Sequence, residues 1–453
     1  MANEEEVKTP APKKKTKLST KVRLIVCVTI VVVFTAVSVI LSFLSTGGGS
    51  VSEGWKIFWN AFATADWHWM LGLLGMVILS ILLDALIIFI FGRLYTRKYN
   101  YGQAIANSMV GTFYSALTPG ASGGQFMQSY IMKRQGIKIS NAASIFVMYF
   151  ILYQINLIIF DIVSIIVEWN RIFEYASFEF HIGSVSLTLL PLIIIGFVLN
   201  LVVLGGLFLL SYSHKFHNWF MNRVVNIGHK LKLVRNPDGL RESLHIQVEN
   251  FKIELKRLQT NIPVAILISI IMQLMLFVKF SFPYFAASAF QATGDFTFKN
   301  FIDTTFLSAF HQMVTGLFPV PGAAGVSELF YGLIYQSVFF PTYDASGNVI
   351  RDLQANLSAT QILWRAITYH LLVVITGFVS IGCQVSPSKE YQNASKKNFV
   401  TVQHETYEIR KLEVEEAYET KQINRQLVKE KMKQKSEERK GRRKKKKTEG
   451  KEK

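Results

Sequence analysis

The sequence reads TPGASGGQ at residues 118–125 and PVPGAAGVSE at residues 319–328. Both stretches lie between long apolar segments, where an unbroken helix would otherwise be expected. Proline and glycine end helices and leave backbone N–H and C=O groups without partners inside the helix. The two stretches therefore predict a helical bundle that is interrupted twice.

The rest of the composition indicates that this bundle is embedded in a membrane. The chain has 453 residues, of which 50% are hydrophobic and 13% aromatic. Apolar runs of about 20 residues match the thickness of a bilayer. The first run, Leu24 to Leu44, exceeds the apolar core of a signal peptide, so we interpret it as an uncleaved span. The sequence predicts an all-α polytopic membrane protein with about six transmembrane helices, at residues 22–44, 69–92, 141–168, 187–211, 262–290 and 358–384.

Charge is concentrated outside these spans. The net charge is +18, and the tails at residues 1–21 and 386–453 carry dense basic runs. Basic runs beside membrane spans face the anionic cytoplasmic leaflet more often than they bind nucleic acid, so no nucleic-acid partner is expected. Both termini are predicted to be cytoplasmic, flanking a membrane domain at residues 22–385. The C-terminal tail fits either a solvated helix with a disordered basic end or a partner-binding coiled coil.

The same distribution of Lys and Arg orients the two breaks. The first break lies between two basic, cytoplasmic ends, and the second lies between two external ends. Each break with its flanking helices therefore predicts a re-entrant hairpin, one from each side, in an inverted repeat of the kind found in transporters. Residues 214–260 are basic and amphipathic, which predicts a cytoplasmic helix on the membrane or on the bundle.

Broken helices have two explanations in a membrane. Irregular backbone there must be buried in protein or line a wet cavity, and an exposed helix N-terminus suits an anionic group such as a lipid phosphate. Alternatively, the small residues only permit close helix packing. The candidates for lipid binding or translocation are Pro119, Gly120, Gly123, Gly124, Gln125, Gln128, Pro319, Pro321, Gly322, Gly325, Glu328 and Arg365.

Ionisable residues inside the apolar runs are the second signal, because a charge at mid-membrane normally has a partner or a wet cavity. Asp84 or Asp161 with Lys279 is one predicted pair, and Glu328 with Arg365 is another. A purely structural ion pair is the alternative for each. His311 and Gln312, before the second break, fit either a cavity lining or a buried polar pair.

Enzyme signatures do not occur in the sequence. It contains no P-loop, dinucleotide fingerprint, HExxH or GxSxG motif, and its two cysteines, Cys27 and Cys383, give no zinc spacing. No catalytic residue, metal site or cofactor is predicted.

Three segments together resemble the lysylphosphatidylglycerol synthase/flippase membrane family. Residues 118–125, followed by Met127-Gln128, Tyr130 and Lys133 to Gly136, are similar to its first signature. Residues 319–328 are similar to its second, and Trp364-Arg365 with Tyr369 to the signature of its last span. The resemblance covers about residues 20–385. Phe126 departs from it, since many relatives have proline there.

The resemblance implies a lipid flippase or translocase of the bacterial plasma membrane, similar to the membrane half of the multiple peptide resistance factor without its soluble lysyltransferase domain. The implied partner is a phospholipid, either anionic or aminoacylated phosphatidylglycerol. One alternative is a phosphatidylglycerol lysyltransferase that works with a separate catalytic partner and contributes to resistance against cationic peptides. Another is a non-transporting membrane scaffold. A homo-oligomer is compatible with each.

Overall fold

The computed structural model describes residues 50–121, 123–175, 179–182, 185–212 and 252–385, together with isolated positions elsewhere. The predicted first span at residues 22–44, most of the amphipathic segment at 214–260 and the tail at 386–453 lie largely outside the described residues.

Thirteen α-helices make up most of the described chain, which confirms the predicted all-α fold. They are α1 (Val51–Thr64), α2 (Trp67–Tyr95), α3 (Tyr101–Leu117), α4 (Gly123–Arg134), α5 (Ile139–Val167), α6 (Trp169–Glu174), α7 (Leu189–Tyr212), α8 (Ile262–Phe280), α9 (Phe282–Ser288), α10 (Phe298–Thr315), α11 (Val326–Tyr335), α12 (Leu353–Arg365) and α13 (Leu372–Val385).

Five helical stretches among the described residues are long and apolar enough to cross a membrane. They are Trp67–Tyr95, Asn141–Val167, Leu189–Gly206, Ile262–Ser288 and Leu353–Cys383. Each coincides with one of the predicted spans, because an unbroken apolar run has no other way to satisfy its backbone in a bilayer. The chain is thus a multi-pass membrane protein.

Two of these stretches are not continuous α-helices. The stretch Ile262–Ser288 is interrupted at Ser281, where α8 ends and α9 begins, with Pro283 at the start of the new helix. The stretch Leu353–Cys383 contains a π-helical turn, Ala366–Leu371, between α12 and α13. Such π-turns are rare and often mark functional sites.

The loops contain two short antiparallel strand pairs that the sequence analysis did not predict. Strand β1 (Glu179–Ile182) pairs with β2 (Val185–Thr188), and β3 (Thr342–Tyr343) pairs with β4 (Val349–Arg351). Both pairs lie in or beside residues 169–186 and 342–356, and the low content of Lys and Arg in these two segments predicts that they face outward.

The bundle is organised around α2, α5 and α8, which pack against one another. Helix α2 also contacts α3, and α5 contacts α4 and α10. Helix α7 comes so close to α10 that a Cβ on Gly196 would lie 2.1 Å from the Met313 carbonyl oxygen. This close approach is the kind of packing that small residues permit between membrane helices.

The helical residues 252–260 belong to the segment predicted to lie on the membrane or on the bundle. Leu255 is buried in a cluster with Ile151 of α5, and the Ser144 hydroxyl donates to the Glu254 carboxylate at 2.5 Å. This end of the segment therefore packs on the bundle.

Candidate functional site

The two breaks adopt nearly the same backbone conformation. Each is a Pro-Gly-Ala turn of 3₁₀ type, which we call the first turn (Pro119–Ala121) and the second turn (Pro321–Ala323). The glycine φ is 59° in both, and the following alanine is also left-handed, with φ 55° in the first and 50° in the second. A left-handed alanine is strained, so each turn is held in place by its surroundings.

Each turn joins two helices into a hairpin. Helices α3 and α4 form the first hairpin, and α10 and α11 form the second. The two turns contact each other, and the second turn also contacts α3. Helix α13 packs along α3, and the Tyr369 hydroxyl reaches the Ala116 carbonyl oxygen at 3.3 Å. The last span therefore lies beside the meeting point of both breaks.

A buried ion pair holds the second turn against the last span, as the sequence analysis predicted for these two residues. Arg365 Nε donates to Glu328 Oε1 at 2.7 Å, and Arg365 Nη2 donates to the Gly322 carbonyl oxygen at 2.7 Å. Both side chains are at least 90% buried. Glu328 Oε2 in turn accepts the backbone N–H of Gly325 at 2.8 Å.

The π-helical turn places Tyr369 beside this pair. The Arg365 guanidinium carbon lies 4.4 Å from the centre of the Tyr369 ring and 5.5 Å from that of Trp364. On its other side, the Tyr369 hydroxyl occupies the space that a Cβ on Gly322 would need, at 1.8 Å. Gly322 is thus required both for its positive φ and for the close approach of Tyr369.

The N-termini that follow the breaks are already capped. Thr118 Oγ1 accepts the N–H of Gly123 at 2.8 Å, and Glu328 accepts the N–H of Gly325. The expectation of open helix N-termini is therefore wrong for these two N–H groups. The threonine and the glutamate provide the cap that a helix entrance needs.

The candidate glycines divide into two groups. A Cβ on Gly124 would lie 2.0 Å from Ser115 Oγ, and one on Gly123 would lie 2.5 Å from the Thr118 methyl carbon, so both serve close packing or capping. Gly120 and Gly325 have positive φ, and among the described residues, their immediate chain neighbours apart, no atom lies within 4 Å of the position that a Cβ would take. These two positions border open space where another group can approach the backbone.

The remaining candidates of the first hairpin have different surroundings. Gln128 is buried against Gly111, and its carbonyl oxygen accepts Asn107 Nδ2 at 2.9 Å, so it joins α3 to α4. The Gln125 carbonyl accepts the Ser129 hydroxyl inside α4. Pro119 is exposed, as is Pro319 before the second turn, whereas Pro321 is half-buried.

The predicted pairing of Asp84 or Asp161 with Lys279 is wrong. Asp84 accepts the Tyr149 hydroxyl at 2.5 Å and also the Ser108 hydroxyl, and Asp161 accepts Asn200 Nδ2 at 3.0 Å. Among the described residues, neither carboxylate forms an ion pair with Lys279. Neutral donors from neighbouring helices bond to these acids, although Asp161 Oδ1 is buried without a hydrogen-bond partner among the described residues. The sequence does not show which helices are neighbours.

Two serines that the sequence analysis did not single out as site residues attach the hairpins to the preceding spans. Ser108 of α3 donates to Asp84 of α2, and Ser308 of α10 donates to the Phe280 carbonyl oxygen of α8 at 2.6 Å. The unusual polarity of helices α3 and α10 was the sequence feature that could have pointed to these two serines. His311, also on α10, bonds to the Ser327 carbonyl oxygen at 2.9 Å, which fits the interpretation of a buried polar contact.

A charged cluster fixes the other end of the second hairpin. Arg171 of α6 donates to Glu168, to Asp303 of α10 and to the Ser337 carbonyl oxygen, at 2.8, 2.8 and 3.0 Å. Lys299 also pairs with Asp303 at 2.8 Å. Burial, with a smaller contribution from the Asp303 charge, raises the pKa of Glu168 to about 7 even though Arg171 opposes the shift.

Two hairpins whose turns meet in a polytopic helical bundle place the chain in the class of membrane proteins built from discontinuous helices. The sequence matches the family described as the lysylphosphatidylglycerol synthase TM region over residues 26–377, which is most of the chain. The chain belongs to this family, and it is a membrane protein linked to lipid handling. No individual curated protein matches it significantly.

Proposed function

We propose that this protein is a phospholipid translocase of the flippase type, acting in the bacterial plasma membrane with both termini in the cytoplasm. The observation that carries the proposal is the junction where the two Pro-Gly-Ala turns contact each other and Arg365 holds the second. Moving a lipid headgroup across a bilayer requires polar surface near mid-membrane, and this junction supplies it.

The exposure of the first turn supports a wet crevice at the junction. Pro119, Gly120 and Ala121 are exposed, and open space adjoins Gly120 and Gly325. Irregular backbone at membrane depth is tolerated only where it is buried in protein or lines a water-filled cavity. On the proposed topology the exposed turn borders such a cavity, which we call the crevice.

The opposed hairpins supply a route for alternating access. One hairpin enters from the cytoplasm and the other from outside, and rocking of one against the other exposes the crevice to each side in turn. Single cysteines at Lys98 and at Ser346 test this topology. Labelling of both by an impermeant reagent from the same side of the membrane excludes it.

The transport assay compares variants in proteoliposomes that contain a fluorescent phosphatidylglycerol. Loss of a buried charged hydrogen bond costs about 1.5–3 kcal/mol, and about 1.4 kcal/mol corresponds to tenfold. We expect Arg365→Ala to slow protein-dependent lipid movement by about tenfold or more. Arg351→Ala is the matched control, because Arg351 lies on the exposed strand β4 and bonds to Thr64. Wild-type rates in folded Arg365→Ala, or no protein-dependent movement, would refute the proposal.

The family description contains the word synthase, which keeps lysyl transfer as a second candidate function. Lipid extracts discriminate the two. New aminoacyl-phosphatidylglycerol in cells that express only this chain favours the transferase, whereas lipid movement without any new lipid species favours the translocase.

A further inference from the structure

We infer that the crevice recognises the phosphodiester of a phospholipid headgroup and does not bind the ammonium groups that aminoacylation adds. The inference deepens the proposed function and rests on it for the location of the lipid. It follows from which polar atoms of Arg365 and Glu328 already have hydrogen-bond partners and which do not.

Arg365 has unused hydrogen-bond donors. A guanidinium carries five N–H groups, one on Nε and two on each Nη. The edge formed by Nε and Nη2 is occupied by Glu328 and by the Gly322 carbonyl oxygen. In the part of the chain that the structure describes, Nη1 has no hydrogen-bond partner. The Nη1 end of a side chain that is more than nine-tenths buried thus retains its donors.

This free end is held in a fixed orientation. The ion pair at 2.7 Å, the bond to Gly322 and the Tyr369 ring at 4.4 Å hold the guanidinium on three sides. A fixed guanidinium fork matches two oxygens of a phosphate or carboxylate at once, which a lysine ammonium does not do. The free end therefore presents a preorganised anion site next to the second turn, which contacts the first.

Glu328 is the carboxylate of this network, and both of its oxygens are engaged. Oε1 accepts from Arg365 and Oε2 accepts from the N–H of Gly325. Asp84 is engaged as well, with one hydroxyl donor on each oxygen. A lysyl ammonium entering the crevice would meet the like charge of Arg365 and would have to share a Glu328 oxygen that already accepts a bond.

The expected ligand is accordingly the phosphate that all glycerophospholipids share. An aminoacyl group would remain outside the contact with Arg365, so aminoacylation changes affinity little. A site built for the lysyl group would instead require a carboxylate with a free oxygen beside the second turn.

The test measures binding, so it does not depend on transport. The full chain in detergent micelles is titrated with short-chain phosphatidylglycerol, with its lysyl ester and with lysyl-diacylglycerol, which lacks the phosphate. We expect the first two to bind within about threefold of each other and the third to bind about tenfold more weakly, the size expected for a charge-assisted bidentate contact. Inorganic phosphate should compete, but more weakly than the lipid if the acyl chains also contribute.

Two variants connect the preference to Arg365. Arg365→Gln is expected to remove the preference for phosphate-containing ligands, and Arg365→Lys to weaken it, because the fork is lost while the charge remains. Arg351→Gln is the control for loss of an arginine elsewhere, and thermal unfolding confirms that each variant is folded. If Arg365→Gln does not fold, the test is whether Arg365→Lys has a weaker preference for phosphate-containing ligands than wild type.

Three outcomes would overturn the inference. The first is that lysyl-diacylglycerol binds as tightly as phosphatidylglycerol. The second is that lysyl-phosphatidylglycerol binds more than about tenfold tighter than phosphatidylglycerol. The third is that Arg365→Gln keeps the wild-type preference for phosphate-containing ligands. Phosphate-dependent binding without lipid movement would refute only the proposed translocase. Lipid movement without phosphate-dependent binding would refute only this inference.

Discussion

Glycine is required at position 322 for two reasons, a positive φ and the close approach of a neighbouring side chain, whereas each other glycine of the breaks meets only one of them. The φ of Gly322 is 59°, and the Tyr369 hydroxyl occupies the position of a Cβ. Gly120 has the same φ but open space in front of it. The two positions therefore separate the cost of backbone strain from the cost of breaking the contact between the second turn and the last span.

Substitution by alanine tests this separation. Gly120→Ala should cost only the left-handed strain, about 1–2 kcal/mol. Gly322→Ala should cost more, because Tyr369 must move away from Arg365 and Ala116. Gly75→Ala is the control, since Gly75 lies in helix α2 and an added Cβ would have no neighbouring atom within 4 Å. Thermal unfolding in detergent measures all three.

The expected order of unfolding temperatures places Gly75→Ala nearest wild type, then Gly120→Ala, and Gly322→Ala lowest. Equal effects of Gly120→Ala and Gly322→Ala would show that the contact of Tyr369 with the second turn contributes nothing to stability.

Residue types predicted the Glu328–Arg365 pair because both residues are ionisable, have opposite charge and lie in or next to apolar segments, where a charge normally has a partner. The same reasoning failed for Lys279. Asp84 has two hydroxyl partners, and one of them, Tyr149, is 65 residues away in sequence. Hydroxyl donors are abundant in this chain, so only the packing of α2 against its neighbours identifies the partner.

At the scale of elements, each hairpin is fixed at its turn and again along its first helix. The second hairpin has an additional attachment, because Arg171 bonds both to Asp303 on α10 and to the Ser337 carbonyl oxygen beyond α11. Tyr175 adds a bond to the Ile334 carbonyl oxygen at 2.9 Å. Motion of this hairpin therefore requires changes in the cluster around Arg171.

Glu168 makes this cluster sensitive to pH. Its pKa is raised to about 7, so the folded protein binds a proton there more tightly than the unfolded chain does. The associated stabilisation is complete at low pH, where both states are protonated, and it is lost as pH rises through about 7. Wild-type unfolding temperature should therefore fall between weakly acidic and weakly alkaline pH.

Glu168→Gln should flatten this dependence, because glutamine is neutral at every pH. Glu174→Gln is the matched control, since Glu174 is exposed at the end of α6, the short helix that Glu168 precedes. Thermal unfolding across the pH series measures both. A slope in Glu168→Gln equal to that of wild type would assign the pH dependence to another group.

The positions of the elements could be predicted largely from sequence. Apolar runs fix spans within a few residues, and Pro-Gly segments fix breaks, because both follow from the need to satisfy backbone hydrogen bonds in a bilayer. The interruption at Ser281 was missed although Pro283 was a visible signal. The β1–β2 and β3–β4 pairs were missed because their strands are only two to four residues long, too short for an alternating pattern to show.

At the scale of the whole molecule, the two breaks are about 200 residues apart in sequence and yet their turns contact each other. The sequence predicted two breaks in opposed units, but it did not show that the turns touch or that Tyr369 reaches the end of α3. Such contacts depend on how the helices pack, and the packing is set by many small apolar contacts that no short motif records.

The most direct test of the central claim is photo-crosslinking with a phosphatidylglycerol that carries a photoreactive group next to its phosphate. If the headgroup lies between the two breaks, labelled peptides should come from residues 116–128 and 318–330, and Arg365→Gln should reduce this labelling. Helix α7 is the internal comparison, because Ile194, Val198 and Val202 are exposed on its surface. Labelling confined to α7 and other outer surfaces, with none at the two breaks, would contradict the account.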